Sequence, residues 1–146
     1  MLGFFCIYKT MIKVVPVILR HSNQGREILA FHHPLAGTQL VKGTIEHDEQ
    51  YQQAAIRELF EESGLIAQPN PKFIGNLILN VNQQNWYFYL CEVTCELAET
   101  WHHHCQDDGG LDFKFFWYPL DQQSDEHWHE TFREALSFLR NFLTSS

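Results

Sequence analysis

Positive charge is scarce in this sequence. Ten Lys and Arg residues stand against 18 Asp and Glu residues, which gives a formal net charge of −8. Proteins that bind DNA or RNA regardless of sequence need basic patches for the phosphate backbone. The acidic balance therefore argues against a nucleic-acid polymer as partner. A small phosphorylated ligand remains compatible with it, because a bound cation can supply positive charge locally.

No apolar run reaches the length of about 20 residues that a helix needs to cross a membrane. We therefore expect no membrane partner. The first ten residues lack the basic start and the small-residue cleavage site of a signal peptide. A strand-like segment, IKVVPVILR, follows Met11. We expect residues 1–10 to be an extension outside the core fold.

The cysteines form neither a C-x-x-C pair nor a secreted framework. They are Cys6, Cys91, Cys95 and Cys105. Free thiols in a reducing compartment are the simplest interpretation, which predicts a cytoplasmic location. A zinc site from the last three cysteines and the histidines at 102–104 is an alternative, but its spacing is not that of a known structural site. We interpret 102–104 instead as part of a polar loop.

The pattern of apolar residues predicts one α/β domain over residues 1–146, a length that suits a single domain. Strands are expected over 13–20, 27–32, 38–41, 72–81, 86–94 and 113–118, and helices over 50–63 and 125–143. Strands thus come before, between and after the two helices. This order indicates an α/β/α sandwich, in which a mixed β-sheet carries a helix on each face.

Acidic residues are concentrated in the stretch GTIEHDEQYQQAAIRELFEESGL, which runs from Gly43 to Leu65. A helix turns about 100° per residue, so Glu58 and Glu62 project within roughly 40° of each other and Glu61 lies beside them. Like charges at this spacing repel. The general interpretation of such a run is a solvated helix face. A carboxylate cluster is also a plausible holder of Mg²⁺, which takes oxygen ligands and is often shared with phosphates.

The spacing of this stretch resembles the Nudix box, G-x5-E-x7-R-E-U-x-E-E-x-G-U, where U is aliphatic. Gly43, Glu49 and the run 57–65 meet every fixed position, with Leu59 and Leu65 at the U sites. A chance match of the seven fixed residues is on the order of 10⁻⁸ to 10⁻⁹ per start position. The box covers about one sixth of the chain. Many members carry two glycines at its start, whereas here a lysine precedes the glycine.

The resemblance implies an α/β/α sandwich that hydrolyses a diphosphate bond in a nucleoside diphosphate linked to another moiety, with Mg²⁺ or Mn²⁺. The metal ligands that it implies are the backbone carbonyl of Lys42 and the carboxylates of Glu58, Glu61 and Glu62. These glutamates and Arg57 are then the catalytic residues, and Arg57 with Glu49 would orient the cluster. The lysine ammonium of residue 42 could also reach a phosphate.

Several points stay open at this stage. The general base is a box glutamate or a residue of a later loop. Candidates for a late-loop ligand are Glu96, Glu99, Asp107, Asp108 and Asp112. Aromatic residues that could stack on a base are Trp86, Tyr87, Phe88, Tyr89 and Trp101, although about half of them should be core.

The substrate is open among ADP-ribose, a sugar nucleotide, a dinucleoside polyphosphate and an oxidised nucleotide. A homodimer is compatible with the sequence. Two other functions compete with hydrolysis. A diphosphate isomerase would share the fold and the metal, but the cysteine and ligand motifs of isopentenyl-diphosphate isomerases are not found. A non-catalytic nucleotide-binding module would usually have lost box glutamates, which are all present here.

Overall fold

The computed structural model of the protein describes residues 11–106 and 109–144, so the expected extension over 1–10 lies outside the described residues. The elements in chain order are β1 (Ile12–Val17), β2 (Leu19–Ser22), β3 (Gly25–His33), β4 (Gly37–Gln39), β5 (Gly43–Thr44), α1 (Tyr51–Ser63), β6 (Lys72–Ile78), β7 (Asn85–Leu90), β8 (Trp101–Cys105), β9 (Leu111–Pro119) and α2 (Glu130–Thr144).

The strands are divided between two sheets. The first is mixed and has the order β5-β1-β7-β6, in which β1 runs parallel to β7 and antiparallel to β5. The second is antiparallel and has the order β2-β3-β9-β8, with β4 added against β3. The connection between the sheets is made directly by the chain as it leaves β1 and enters β2.

Alternate side chains of the strands face opposite helices, because successive residues of a strand point to opposite faces. Val15 and Val17 pack in one core cluster with Leu136 of α2. Val14 packs in another with Ala54 and the neighbouring Ala55 of α1. The sheets therefore lie between the two helices, and the prediction of an α/β/α sandwich is confirmed.

The predicted strand over 13–20 is in fact two strands that belong to different sheets. The carbonyl of Val17 accepts the N–H of Cys91 at 2.8 Å, beside the mixed sheet. The carbonyl of the next residue, Ile18, accepts the N–H of Leu29 at 3.0 Å, in the antiparallel sheet. The chain thus changes partners without losing its extended form, and so the sequence shows one continuous strand pattern.

The prediction of a loop through residues 102–104 is wrong, because these residues form most of β8. The strand pairs with β9, with His103 opposite Phe113. Side chains alternate along it: Trp101, His103 and Cys105 are at least partly buried, whereas His102 and His104 are exposed. Histidines occupy both the inward and the outward positions of this strand. The alternation is therefore not visible in the pattern of hydrophobic residues.

Helix α2 begins at Glu130 and not at Asp125 as predicted. The backbone N–H of Trp128 bonds to the carbonyl of Asp125 at 3.1 Å, which closes a turn. Trp128 also forms a bridge with Thr38. The segment before α2 is therefore drawn onto the edge of the sheet instead of continuing the helix. No helix in the described part of the chain is both long enough and apolar enough to span a membrane.

Candidate active site

Helix α1 carries the acidic residues of the box and is bounded at both ends. At its start the backbone N–H of Gln50 bonds to the side-chain oxygen of Gln53 at 3.3 Å. At its end Gly64 adopts a left-handed conformation, with φ of 81°, and its N–H bonds to the carbonyl of Phe60 at 2.9 Å. A glycine suits this position because a side chain is strained there. The box thus forms a helix between two loops.

The buried face of α1 contains one of the glutamates. Ala54, Ala55 and Leu59 are fully buried, and Glu58 is only 8 % exposed. The apolar periodicity of residues 50–63 predicts Phe60 on the same face, but Phe60 is 53 % exposed. It follows Leu59 by about 100° around the helix, so it turns away from the sheet. Because Glu58 is buried, water does not stabilise its negative charge, and neighbouring groups must do so.

Gly43 makes the room that Glu58 occupies. A Cβ atom at Gly43 would lie 1.9 Å from the carboxyl carbon of Glu58. Any residue with a side chain here would displace the carboxylate. The glycine that opens the box therefore lets the backbone of β5 pack directly against the buried carboxylate of Glu58.

Arg57 connects the acidic residues. Its Nε and Nη2 bond to the two carboxylate oxygens of Glu49 at 2.7 and 2.8 Å. Its Nη1 bonds to Glu58 at 2.8 Å and to Glu61 at 3.2 Å. Nη2 also donates to the carbonyl of Thr44 at 3.0 Å. A planar guanidinium offers five donors in a fixed fork, whereas a lysine has three donors on one nitrogen.

The environment of the cluster changes the pKa values of Arg57, Glu49 and Glu58. The hydrogen bond with Glu49 raises the pKa of Arg57, and the same bond lowers the pKa of Glu49. Burial raises the pKa of Glu58, against the opposing effects of hydrogen bonds with Arg57 and Glu62. Burial therefore makes the negative charge of Glu58 costly to maintain.

The acidic cluster lines a cleft of about 750 Å³. Its lining residues are Lys13, His33, Gln39, Lys42, Gly43, Thr44, Glu46, Arg57, Glu58, Glu61, Glu62, Cys105 and Phe113. Every residue predicted as catalytic or metal-binding is among them. The structure thus brings the predicted site residues together, on α1 and on the segment that leads into β5.

Lys42 lines the cleft, and its ammonium lies near two aromatic rings of the core. Its Nζ lies 5.9 Å from the ring centroid of Trp86 and 5.8 Å from that of Phe132. Burial lowers the pKa of Lys42, as does the nearby charge of Lys13, whereas Glu62 and Glu58 act against this shift. The ammonium is therefore partly desolvated, and it feels the charges of these two carboxylates.

The donors in the cleft suit a hard divalent cation, because the predicted ligands are all oxygen atoms. Across the described residues, no three His, Cys, Asp or Glu side chains already converge on a point where a metal could bind. Arg57 instead occupies the space between Glu58 and Glu61. The oxygen donors of the cleft therefore fit a cation by their chemistry.

The described candidates for a late-loop ligand are not among the residues that line the cleft. Glu99 bonds to both Nη atoms of Arg20 at 2.8 and 2.7 Å. Asp112 bonds to His104 at 2.8 Å. Glu96 is exposed. Asp107 and Asp108 lie outside the described residues.

Most of the aromatic candidates belong to the core instead of the cleft. Trp86 and Phe88 are fully buried and pack towards α2. Tyr89 is also buried, with 5 % of its surface exposed. Tyr87 packs against α1, and Trp101 stacks on Phe115.

Sequence reasoning missed the aromatic residue of the cleft. Phe113 lines it and lies 5.2 Å from the ring of His33, also a cleft residue. The apolar alternation along β9 shows that Phe113 faces inward, but only the fold places its ring beside the box.

The fold and cleft define a class: an α/β/α protein whose acidic cleft is of a size for a phosphorylated small molecule. The family model of the NUDIX domain matches residues 11–137. The chain therefore belongs to the Nudix family, and the resemblance found in the box extends over most of the sequence. At the level of the family, the prediction of a Nudix-type pyrophosphohydrolase is confirmed. A comparison with curated proteins finds no match.

Solved structures support the same fold. An ADP compounds hydrolase shares 18 % identity with a TM-score of 0.68, over 95 % of this chain and 76 % of that one. An ADP-ribose pyrophosphatase from Streptococcus suis shares 15 % identity with a TM-score of 0.66, over 94 % and 92 %. A UDP-X diphosphatase shares 13 % identity with a TM-score of 0.66, over 94 % of this chain but only 64 % of its own.

Proposed function

We propose that this protein hydrolyses the diphosphate bond of a nucleoside diphosphate linked to another moiety, with Mg²⁺ or Mn²⁺ as cofactor. The observation that carries the proposal is the set of box carboxylates, Glu58, Glu61 and Glu62, that line one cleft together with Lys42 and Arg57. Carboxylates alone would repel a diphosphate. Carboxylates beside cationic side chains suit a diphosphate that is bound together with a metal ion.

The three glutamates and the backbone carbonyl of Lys42 would hold the cation. When bound, a divalent cation neutralises diphosphate oxygens and makes a bound water more acidic. Arg57 holds the carboxylates in position and is itself held by Glu49. The ammonium of Lys42 would contact a diphosphate oxygen, because a charge-assisted hydrogen bond is strongest where water is partly excluded.

A carboxylate accepts the proton of the attacking water. Among the described acids of the later loops, Glu99 is engaged by Arg20, and Asp112 contacts His104. The box glutamates already line the cleft, and we therefore assign the base to one of them. The two loop acids are then surface residues with structural partners.

The substrate class follows from chemistry and is supported by the names of the structural relatives. ADP compounds hydrolase, ADP-ribose pyrophosphatase and UDP-X diphosphatase are all named for nucleoside diphosphate derivatives. Phe113 and His33 line one side of the cleft, although Phe113 is buried and stacks on Phe31. Cys91 and Cys95 are free thiols, which suits the proposed cytoplasmic location.

The test is a panel assay with Mg²⁺ in isotopically labelled water. Its substrates are ADP-ribose, a UDP-sugar, a dinucleoside polyphosphate and an oxidised nucleoside triphosphate. We expect two phosphate products, one of which carries the label, and a loss of at least about 100-fold in rate for Glu62→Gln. Product that lacks label but has a rearranged organic group would identify an isomerase. Tight binding of a panel member without turnover would identify a binding module.

A further inference from the structure

The last turn of α1 carries two of the carboxylates that line the cleft, Glu61 and Glu62. The final carbonyls of a helix have no partners within the helix, and helix ends tend to fray. A carboxylate on a fraying turn would not hold a fixed position. The bonds made by the last carbonyls of α1 therefore bear directly on the geometry of the cleft.

Strand β8 supplies partners to these carbonyls from outside the helix. His103 Nε2 lies 3.0 Å from the carbonyl oxygen of Glu61, and since a carbonyl can only accept, Nε2 carries the proton and donates. The indole Nε1 of Trp101 donates to the carbonyl of Ser63 at 3.0 Å. Within the helix end itself, Gly64 donates to Phe60 at 2.9 Å.

The two donors are held rigidly. Trp101 stacks on Phe115 of β9 with ring centroids 5.2 Å apart and an angle of 8° between planes. His103 stands against the helix end, because a Cβ at Gly64 would approach its Nδ1 to 3.0 Å. The exposed His102 lies between them on the opposite face of the strand. Both donors therefore belong to a strand with fixed orientation.

We propose that Trp101 and His103 are positioning residues, which together clamp the last turn of α1 so that Glu61 and Glu62 keep the geometry needed for metal binding. Glu61 shows the link directly, because its carbonyl is held by His103 while its carboxylate lies 3.2 Å from Arg57 in the cleft. The inference rests on the proposed function, since it assigns the clamp a role in metal binding. It also gives β8 a function that its polar sequence concealed.

Three variants separate the donated hydrogen bonds from the bulk of the side chains. Trp101→Phe keeps a ring that can stack on Phe115 but removes the indole N–H. His103→Ala removes the donor, and His103→Gln restores an amide N–H at a similar reach. His102→Ala is the matched control, because it changes a histidine on the same strand that faces solvent.

Two measurements without substrate test the clamp. Hydrogen exchange in EDTA should be about twofold to tenfold faster at the amides of residues 61–64 in Trp101→Phe and His103→Ala, as expected for one lost hydrogen bond. Calorimetric titration with Mn²⁺ should show affinity weakened by a similar factor. His103→Gln should recover most of both losses, and His102→Ala should match the wild type.

The outcomes distinguish the clamp from the proposed function. Wild-type Mn²⁺ affinity in Trp101→Phe and His103→Ala would overturn the positioning role, whether or not exchange accelerates. Failure of His103→Gln to recover either loss would overturn the role of the donated hydrogen bond. A wild-type protein that binds no Mn²⁺ would overturn the metal mechanism itself, and the positioning role with it.

Discussion

Arg57 is the residue through which the acidic cluster is held together. It makes two hydrogen bonds to Glu49 and one each to Glu58 and Glu61. Glu49 is therefore an anchor for the arginine instead of a ligand candidate. In the sequence, Arg57 precedes Glu61 by four residues, which is the less favourable order for an ion pair on a helix. The structure shows that the arginine reaches across to the loop before the helix, which explains its place in the box.

Replacing Arg57 by lysine should reduce activity without unfolding the protein. An ammonium has three donors on one nitrogen and cannot replace the planar fork that donates five hydrogen bonds here. We expect kcat/KM to fall about 10-fold to 100-fold, the range usual for groups that orient metal ligands. Arg20→Lys is the control, because Arg20 makes the same kind of two-point bond to Glu99 away from the cleft. Equal losses in both variants would contradict the prediction.

Glu62→Gln tests whether the glutamate serves catalysis or folding. The change keeps size and helix propensity but removes one of several crowded negative charges. In EDTA the variant should melt at the wild-type temperature or slightly above it. In Mg²⁺ its initial rate should fall about 100-fold or more, because a group that stabilises transition-state charge is lost. A variant that melts far below wild type, yet retains its rate when folded, would make Glu62 a structural residue.

For single residues, the sequence predicts which side chains belong to the site better than it predicts the contacts between them. The spacing of the box identifies Glu58, Glu61 and Glu62, since each has a fixed place in the motif. It cannot show that Gly43 is needed to make space for Glu58, because that contact joins residues 15 positions apart in sequence. Nor can it show that the side chain of Lys42 is packed near Trp86.

The two helices have different roles: α2 mainly contributes to the core, whereas α1 carries the residues of the candidate site. α2 presents an apolar stripe to the sheets, and its Phe132, Leu136 and Leu139 are almost fully buried. α1 buries only small residues and Leu59, beside a glutamate. Periodicity predicts both helices, because amphipathic segments are long enough to show their period. It fails at β8, where three consecutive histidines conceal a strand whose partner, β9, begins several residues later.

Leu136→Ala should therefore destabilise the protein without changing its chemistry. Leu136 is fully buried in the core between α2 and the sheets, and such a truncation costs about 2–5 kcal/mol. The Mg²⁺ concentration for half-maximal rate should stay within about twofold of wild type at a temperature where the variant is folded, since its site is intact. Phe142→Ala, at a residue 44 % exposed, should cost less. Chemical denaturation and metal titrations check both statements.

The whole molecule carries a net charge of −8, and its cleft concentrates part of it. Cations that bind there gain from charges fixed by folding, because the unfolded chain spreads its carboxylates apart. Arg57, Lys13 and Lys42 offset the charge only in part, since four glutamates line the same cleft. Metal binding and folding should therefore be linked across the molecule, so that each favours the other.

Mg²⁺ should raise the melting temperature, and the size of the shift should depend on how tightly the carboxylate cluster binds the ion. A ligand that binds only the folded state stabilises it by about 2.7 kcal/mol at 100 times its dissociation constant. For a domain of this size that corresponds to roughly 5–10 °C. The shift should be far smaller in Glu62→Gln, whose cluster has one ligand fewer.

Two controls separate site binding from general screening. Sodium chloride at equal ionic strength should produce little of the effect, because screening relieves repulsion without coordination. Glu92→Gln removes an exposed charge that is not among the cleft residues, so it should retain the wild-type response to Mg²⁺. If sodium chloride reproduced the full shift, or if Glu62→Gln responded to Mg²⁺ as Glu92→Gln does, the stabilisation would come from the overall charge of the molecule and the carboxylate cluster would not be a metal site.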